Sequence, residues 1–246
     1  MGQQSKISLI VPAYQEEKRI GMTIENLSAY LEANHPGTEV IVVCDGCTDS
    51  TAAVARSAFV APSCTLKVLE LSPNAGKGFA VRAGVQEAGG DYIFFTDADL
   101  SFAPEVMDLF LPVLLNGADV VIAQRSKAHE YPGLGRRLLA KCSRLLIGNL
   151  ILPGLRDTQA GYKAFRASVA KYLFARLLTN RFLFDLEILF MAKQKGLRIE
   201  KVYVDWQDRP GSTVRLYVDT LRSARDLLLI YARSVTGAYR LKEPLQ

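Results

Sequence analysis

Four short stretches of this chain gather residues that handle phosphate and cations. Asp97-Ala98-Asp99 spaces two carboxylates two positions apart; in an extended segment residues i and i+2 point the same way, so both converge on one cation. Asn74-Ala75-Gly76-Lys77-Gly78 opens a helical pattern with a glycine-flanked lysine, a setting in which backbone N–H groups and an ammonium hold phosphate. Asp45-Gly46-Cys47-Thr48-Asp49 and Pro12-Ala13-Tyr14-Gln15-Glu16-Glu17 each bring carboxylates directly after an apolar run, the second with an aromatic ring. Taken singly each has a plain alternative: Asp45 or Asp49 caps a helix, Tyr14 and Glu16 are surface residues, and the lysine turn lacks a full phosphate-loop pattern. Four such stretches in succession are much stronger than any one.

The elements around them explain why they would meet. Strand-like apolar runs at Ile7–Ala13, Glu39–Cys44, Leu66–Leu71, Tyr92–Thr96 and Val120–Gln124 alternate with helical patterns. The helices are expected over residues 20–34, 50–59, 78–88 and 104–115. Continuous apolar strands between helices predict a mostly parallel central sheet covered on both faces, an α/β layered fold. In such a sheet ligands collect where strands end and turns begin, and all four stretches stand at strand ends. The second half differs. Residues 134–152 read as a helix with Leu134, Leu138, Cys142, Leu145, Leu146 and Leu150 on one stripe and Arg137, Lys141 and Arg144 on another. Ile199–Trp206 reads as a late strand and Tyr217–Val235 as a basic amphipathic helix. With no repeat and no linker, residues 1–246 are read as one domain, residues 1–125 forming an alternating strand-and-helix half and 126–246 a helical, basic half.

Composition narrows the class. The chain has 246 residues, 49% hydrophobic and 22% charged, ordinary globular values. Its net charge of +5 hides an asymmetry: residues 1–123 hold seven Lys/Arg against fifteen Asp/Glu, and residues 124–246 twenty-three against ten. The acidic half suits a hard cation, the basic half phosphates or an anionic surface. No apolar stretch approaches the ~18 residues of a spanning helix, and the first residues lack a signal-peptide core. The expectation is a cytoplasmic protein. Four cysteines are too few for a disulfide scaffold, and Cys44-x-x-Cys47 has no second ligand pair for zinc.

The four stretches, followed by Ala123-Gln124-Arg125-Ser126, fall in the order found in family 2 glycosyltransferases of the GT-A fold, which this chain resembles along nearly its whole length. Arg156-Asp157-Thr158-Gln159-Ala160-Gly161-Tyr162-Lys163, Phe184-Asp185-Leu186-Glu187 and Trp206 with Arg209-Pro210-Gly211-Ser212 are similar to polyprenyl-phosphate sugar transferases, the dolichyl-phosphate glucosyl- and mannosyltransferases among them. The resemblance implies that Pro12, Tyr14, Glu16, Val43 and Asp45 contact the nucleotide, that Lys77, Ala98, Gln159 and Ser212 line the donor site, and that Asp97 and Asp99 hold Mg²⁺ or Mn²⁺. Cys44 and Cys47 depart from the family's Asp-Asp-Gly-Ser turn, while Asp45 is kept. Thr213 stands where a lysine is usual. The partners implied are a nucleotide diphosphate sugar (UDP-glucose first, GDP-mannose next) and a polyprenyl phosphate met peripherally on the cytoplasmic face of a membrane. No nucleic acid is implied, and self-association is left open.

The expected chemistry is displacement at the anomeric carbon with inversion. Arg125 and Arg209 offer forks that fit phosphate oxygens, and Asp99 anchors the cation. A lipid phosphate is already ionised, its second pKa being about 6, and needs no base. A hydroxyl acceptor, soluble or on a glycan, would need one, with Asp185 or Glu187 the candidates; the alternative for both is pairing with Lys163 or Arg166. A haloacid-dehalogenase-type phosphatase with Asp97 as nucleophile and a non-catalytic nucleotide-binding module are the competing classes. Neither accounts for all the motifs.

Overall fold

Seven strands form one sheet in the computed structural model, which describes residues 5–126, 152, 155, 157–207, 225–233, 236 and 239. They are β1 (Ile7–Ala13), β2 (Glu39–Asp45), β3 (Thr65–Leu71), β4 (Tyr92–Phe95), β5 (Val120–Arg125), β6 (Lys163–Arg166) and β7 (Ile199–Val204), in the spatial order β3-β2-β1-β4-β6-β5-β7. The β1–β2, β1–β4, β2–β3 and β5–β7 pairs are parallel. β6 runs antiparallel to both of its neighbours, β4 and β5.

Helices α1 (Ile20–Asn34), α2 (Thr51–Ser57), α3 (Lys77–Glu87), α4 (Val106–Leu115), α5 (Ala167–Ala175) and α6 (Phe184–Gln194) cover the sheet. β1 is buried at every position because alternate side chains enter two cores. Leu9 and Val11 pack with α1, α2 and α4, whereas Ile10 packs with α3, α5 and α6. Each fully buried Leu, Ile or Val contributes about 1.5–3 kcal/mol, which is why the strand is apolar at every position but Ser8 rather than alternating.

Two helices place the site. α1 buries Ile20, Ile24, Leu27 and Leu31 along one face, and its Thr23 hydroxyl donates to the Ala98 carbonyl at 2.7 Å. α3 approaches β1 and α6 closely because it carries glycines there. A Cβ on Gly84 would come within 2.6 Å of Ile10, and one on Gly78 within 2.6 Å of Phe184.

The strands and helices expected over residues 7–125 are all present, with ends shifted by at most two residues, and the late strand stops at Val204. β6, α5 and α6 were not foreseen. β6 is only four residues, opened by Lys163 and closed by Arg166, so no periodicity announces it. Of the basic amphipathic helices, the stripe expected over 134–152 lies outside the described residues apart from Leu152, which is buried. Within 217–235, residues 225–233 are helical. No described helix is long and apolar enough to cross a membrane.

Candidate active site

The parallel strands β1 to β4 bring their carboxyl ends to one edge. The chain runs outward from β1 to β3 and returns on the other side of β1 as β4, making the switch point at which such sheets bind ligands.

Asp97 and Asp99 follow β4 in a tightly held turn. Leu100 adopts φ 54°, a left-handed conformation that costs about 1–3 kcal/mol for a non-glycine residue and persists only where surroundings over-determine it. The Ser101 N–H donates to Asp99 Oδ1 at 3.0 Å. Gly161 is pressed against Asp97, and a Cβ there would overlap the Asp97 carboxylate. The Lys77 ammonium, delivered by the first turn of α3, pairs with Asp97 Oδ1. Behind it, Lys163 Nζ lies 2.7 Å from Asp185 Oδ1 and donates to the Ala160 carbonyl at 2.7 Å; Lys163 is 0% and Asp185 4% exposed.

Burial governs the electrostatics. It lowers the Lys163 pKa against the pull of Asp185, and raises that of Asp185 against the pull of Lys163 and Lys77. Burial acts to lower Lys77 too, but Asp97, Asp185 and Asp99 together outweigh it and leave the ammonium pKa raised. Lys77 therefore stays charged at neutral pH.

Asp45 is 2% exposed and builds the lysine turn. Its carboxylate accepts from Asn74 Nδ2 at 2.9 Å, the Ala75 N–H at 3.0 Å and the Gly76 N–H at 2.6 Å. Val43 and Pro12 are buried neighbours in the β1–β2 register. Tyr14 is 43% exposed at the rim. Glu16 is gripped by the Arg19 fork at 2.7 and 2.6 Å, and the Glu16 hydrogen bond first, then Asp99 and Asp97, raises the Arg19 pKa. Gln15 exchanges two hydrogen bonds with Thr48, at 2.9 and 2.8 Å, joining the first two turns. Asp49 stands one residue before the cap position of α2, Ser50, and accepts from the Thr51 N–H at 3.1 Å.

Three expected site residues are engaged by partners within the protein. The Arg125 fork is engaged by Asp157 through two 2.7 Å bonds, and the guanidinium lies 5.1 Å from the Trp206 ring centroid. It thus ties the end of β5 to the 157–162 turn, on which Gln159 is exposed. Asp185 is paired with Lys163 inside the protein, as the alternative reading had it, instead of facing an acceptor. Glu187 is 0% exposed and accepts from the Leu178 and Thr179 N–H groups and the Tyr239 hydroxyl. Arg209, Ser212, Thr213 and His129 lie outside the described residues.

Cys44 is buried at the end of β2, 1% exposed. Burial, with Cys47 next, pushes its pKa up to about 12, so it packs as a small apolar residue.

The roles of Arg19, Asp157 and Thr23 were missed. Arg19 had a local signal, its i,i+3 spacing from Glu16 at a helix start. The other two are paired across 32 and 75 positions, where no local signal exists.

Among the described residues no three or more His, Cys, Asp or Glu side chains gather as a metal cluster. Two carboxylates are nevertheless the donor set by which Mg²⁺ is usually held, the rest coming from substrate phosphates and water. A cationic ammonium already rests on one of them. The residues fit such an ion.

A topological switch point with an Asp-x-Asp turn after β4, and an antiparallel strand beside it, is the arrangement of a GT-A glycosyltransferase. The chain belongs to the glycosyl transferase family 2, whose model matches residues 8–174, and is a hexosyltransferase. It is 35% identical over 252 residues to the dolichyl-phosphate beta-glucosyltransferase of Drosophila melanogaster, covering 96% of this chain and 77% of that one. Mannosyl-3-phosphoglycerate synthase from Rubrobacter xylanophilus shares the fold, with a TM-score of 0.69 at 20% identity, covering 98% of this chain and 77% of that one. So does glucosyl-3-phosphoglycerate synthase from Mycobacterium tuberculosis, solved with Mg²⁺ and UDP, with a TM-score of 0.63 at 20% identity over 84% of this chain and 73% of that one.

Proposed function

We propose that this protein transfers glucose from UDP-glucose to a polyprenyl phosphate of the dolichyl type, inverting the anomeric carbon, at the cytoplasmic face of a membrane. The observation that carries the reading is the convergence of Lys77, Asp97 and Asp99 at the switch point. The choice of glucose and of a lipid acceptor is supported by similarity to the curated glucosyltransferase.

Tyr14, exposed at the rim, offers a face for the base, and Asp45 holds the turn that presents Lys77 to the diphosphate. Asp97 and Asp99 would hold Mg²⁺ or Mn²⁺, which when bound supplies Lewis-acid neutralisation of the leaving diphosphate. Arg125 keeps the 157–162 turn, and with it Gly161, against Asp97. Arg209 and Ser212 are assigned to the diphosphate by family resemblance. With an ionised lipid phosphate as nucleophile no base is needed, which agrees with the enclosure of Asp185 and Glu187. Membrane contact is supported by residues 225–233, where Leu228 is 70%, Leu229 37% and Tyr231 52% exposed, apolar side chains suited to an interface.

The test is a donor panel against a polyprenyl phosphate, read by product mass. UDP-glucose should be the preferred donor, with GDP-mannose next. Equal transfer to a soluble hydroxyl acceptor would overturn the lipid assignment.

A further inference from the structure

Lys77 rests on the carboxylate that a divalent ion would use. Its backbone is fixed on both sides: a Cβ on Gly76 would fall 2.6 Å from the Asn180 carbonyl oxygen, and Gly78 abuts Phe184. Only the four-carbon stem is left to move. Asp185 and Asp99 also act on Lys77, but Asp185 is paired with Lys163 at 2.7 Å, and Asp97 is the carboxylate that the ammonium contacts. Lys77, Lys163 and Arg19 against Asp97, Asp99, Asp185 and Glu16 leave one net negative charge in the cluster. A lone divalent ion therefore meets weak attraction and a cation to displace. A diphosphate changes both terms, since it adds negative charge and gives the displaced ammonium a new partner.

We propose that Lys77 is the resident counter-cation of the Asp97–Asp99 pair and competes with the divalent ion for Asp97, so that ion and donor diphosphate are taken up together. This rests on the donor-site reading above and deepens it: Lys77 is a positioning residue that sets the order of loading.

Mn²⁺ titrated into the full-length protein, with free Mn²⁺ followed by electron paramagnetic resonance, reads this without turnover. The unaltered protein should bind Mn²⁺ weakly alone and more tightly with UDP present. Lys77→Met should tighten binding without UDP on the order of tenfold, about 1.4 kcal/mol, and shrink the gain from UDP. Lys77→Arg, which keeps the charge, should stay close to the unaltered protein. Should Lys77→Met melt early, Lys77→Gln carries the same comparison. Mn²⁺ affinity without UDP that is unchanged or weaker in the neutral variants overturns the proposal, whatever the transfer assay shows. Absence of Mn²⁺ binding by the unaltered protein even with UDP overturns the metal role of the Asp pair as well.

Discussion

Asp99 and Arg125 illustrate how differently two site residues can be used. Asp99 accepts one N–H bond, from Ser101, which an amide oxygen can replace. Asp99→Asn should therefore lower kcat by about 10²–10³, the scale for one lost stabilising group at developing charge, with the thermal midpoint unchanged. Retained turnover, or full turnover in chelator, would sink the cation role. Arg125 carries a charge-assisted pair with Asp157 in a mostly buried position, with the two side chains 22% and 15% exposed. Removing one partner of a charged hydrogen bond costs about 1.5–3 kcal/mol, so Arg125→Ala should lower stability in urea melts as well as turnover. Lost turnover at unaltered stability would mean the guanidinium acts on donor phosphate and not as a strut.

At the scale of elements, the site depends on β6 and on the turn that leads into it. Gly161 stands against Asp97 with no room for a Cβ, so Gly161→Ala must displace either the turn or the carboxylate. A misplacement of about 1 Å can cost roughly 10² in rate, and kinetics on this variant should show a fall of that order. Near-normal kcat would show that Asp97 tolerates the shift. Lys163 at the start of β6 and Asp185 on α6 form a buried pair. Breaking such a pair by removing one partner costs about 3–5 kcal/mol, whereas replacing both with apolar residues is often close to neutral. Lys163→Met should therefore destabilise more than Lys163→Met with Asp185→Leu, and equal losses in denaturant melts would argue against strong coupling between the two.

Across the whole molecule, the site occupies one edge of the sheet and a structural network the other. Glu39 accepts from the Ser8 hydroxyl at 2.7 Å and the Gly89 N–H at 3.0 Å, and pairs with Lys67 at 2.5 Å. It thereby ties together the amino-terminal ends of β1 to β3 and the segment entering β4. Burial acts to raise its pKa, but the Gly89, Lys67 and Ser8 contacts hold it below the ordinary 4.5. A carboxylate whose folded pKa lies below its unfolded one contributes stability above the unfolded value, lost as pH falls through the folded value. The thermal midpoint should thus drop on acidification below about pH 4.5, and Glu39→Gln should show a shallower drop. Identical slopes would remove Glu39 from the account of acid sensitivity.

The sequence by itself determined the elements of residues 7–125 and the four stretches at their ends. Those signals are local: apolar runs mark the strands, a 3.6-residue period marks the helices, and Asp-x-Asp or a glycine-flanked lysine needs only its neighbours to be read. Even the departure at Cys44 and Cys47 was visible, and its outcome, a buried thiol at Cys44, agrees with a strand end. Only the tertiary structure decided the partners. Asp45 closes on a turn 29 to 31 positions away, Arg125 on Asp157, 32 away, and Lys163 on Asp185, where Arg166 was an equal candidate. The physical reason is that opposite charges attract with little regard to identity, so the pairing is chosen by which backbones the core brings close. The insertion of β6 between β4 and β5 is what brings Gly161 to Asp97 and Lys163 to Asp185, and a four-residue strand with charged ends leaves no periodic trace from which that insertion could be read.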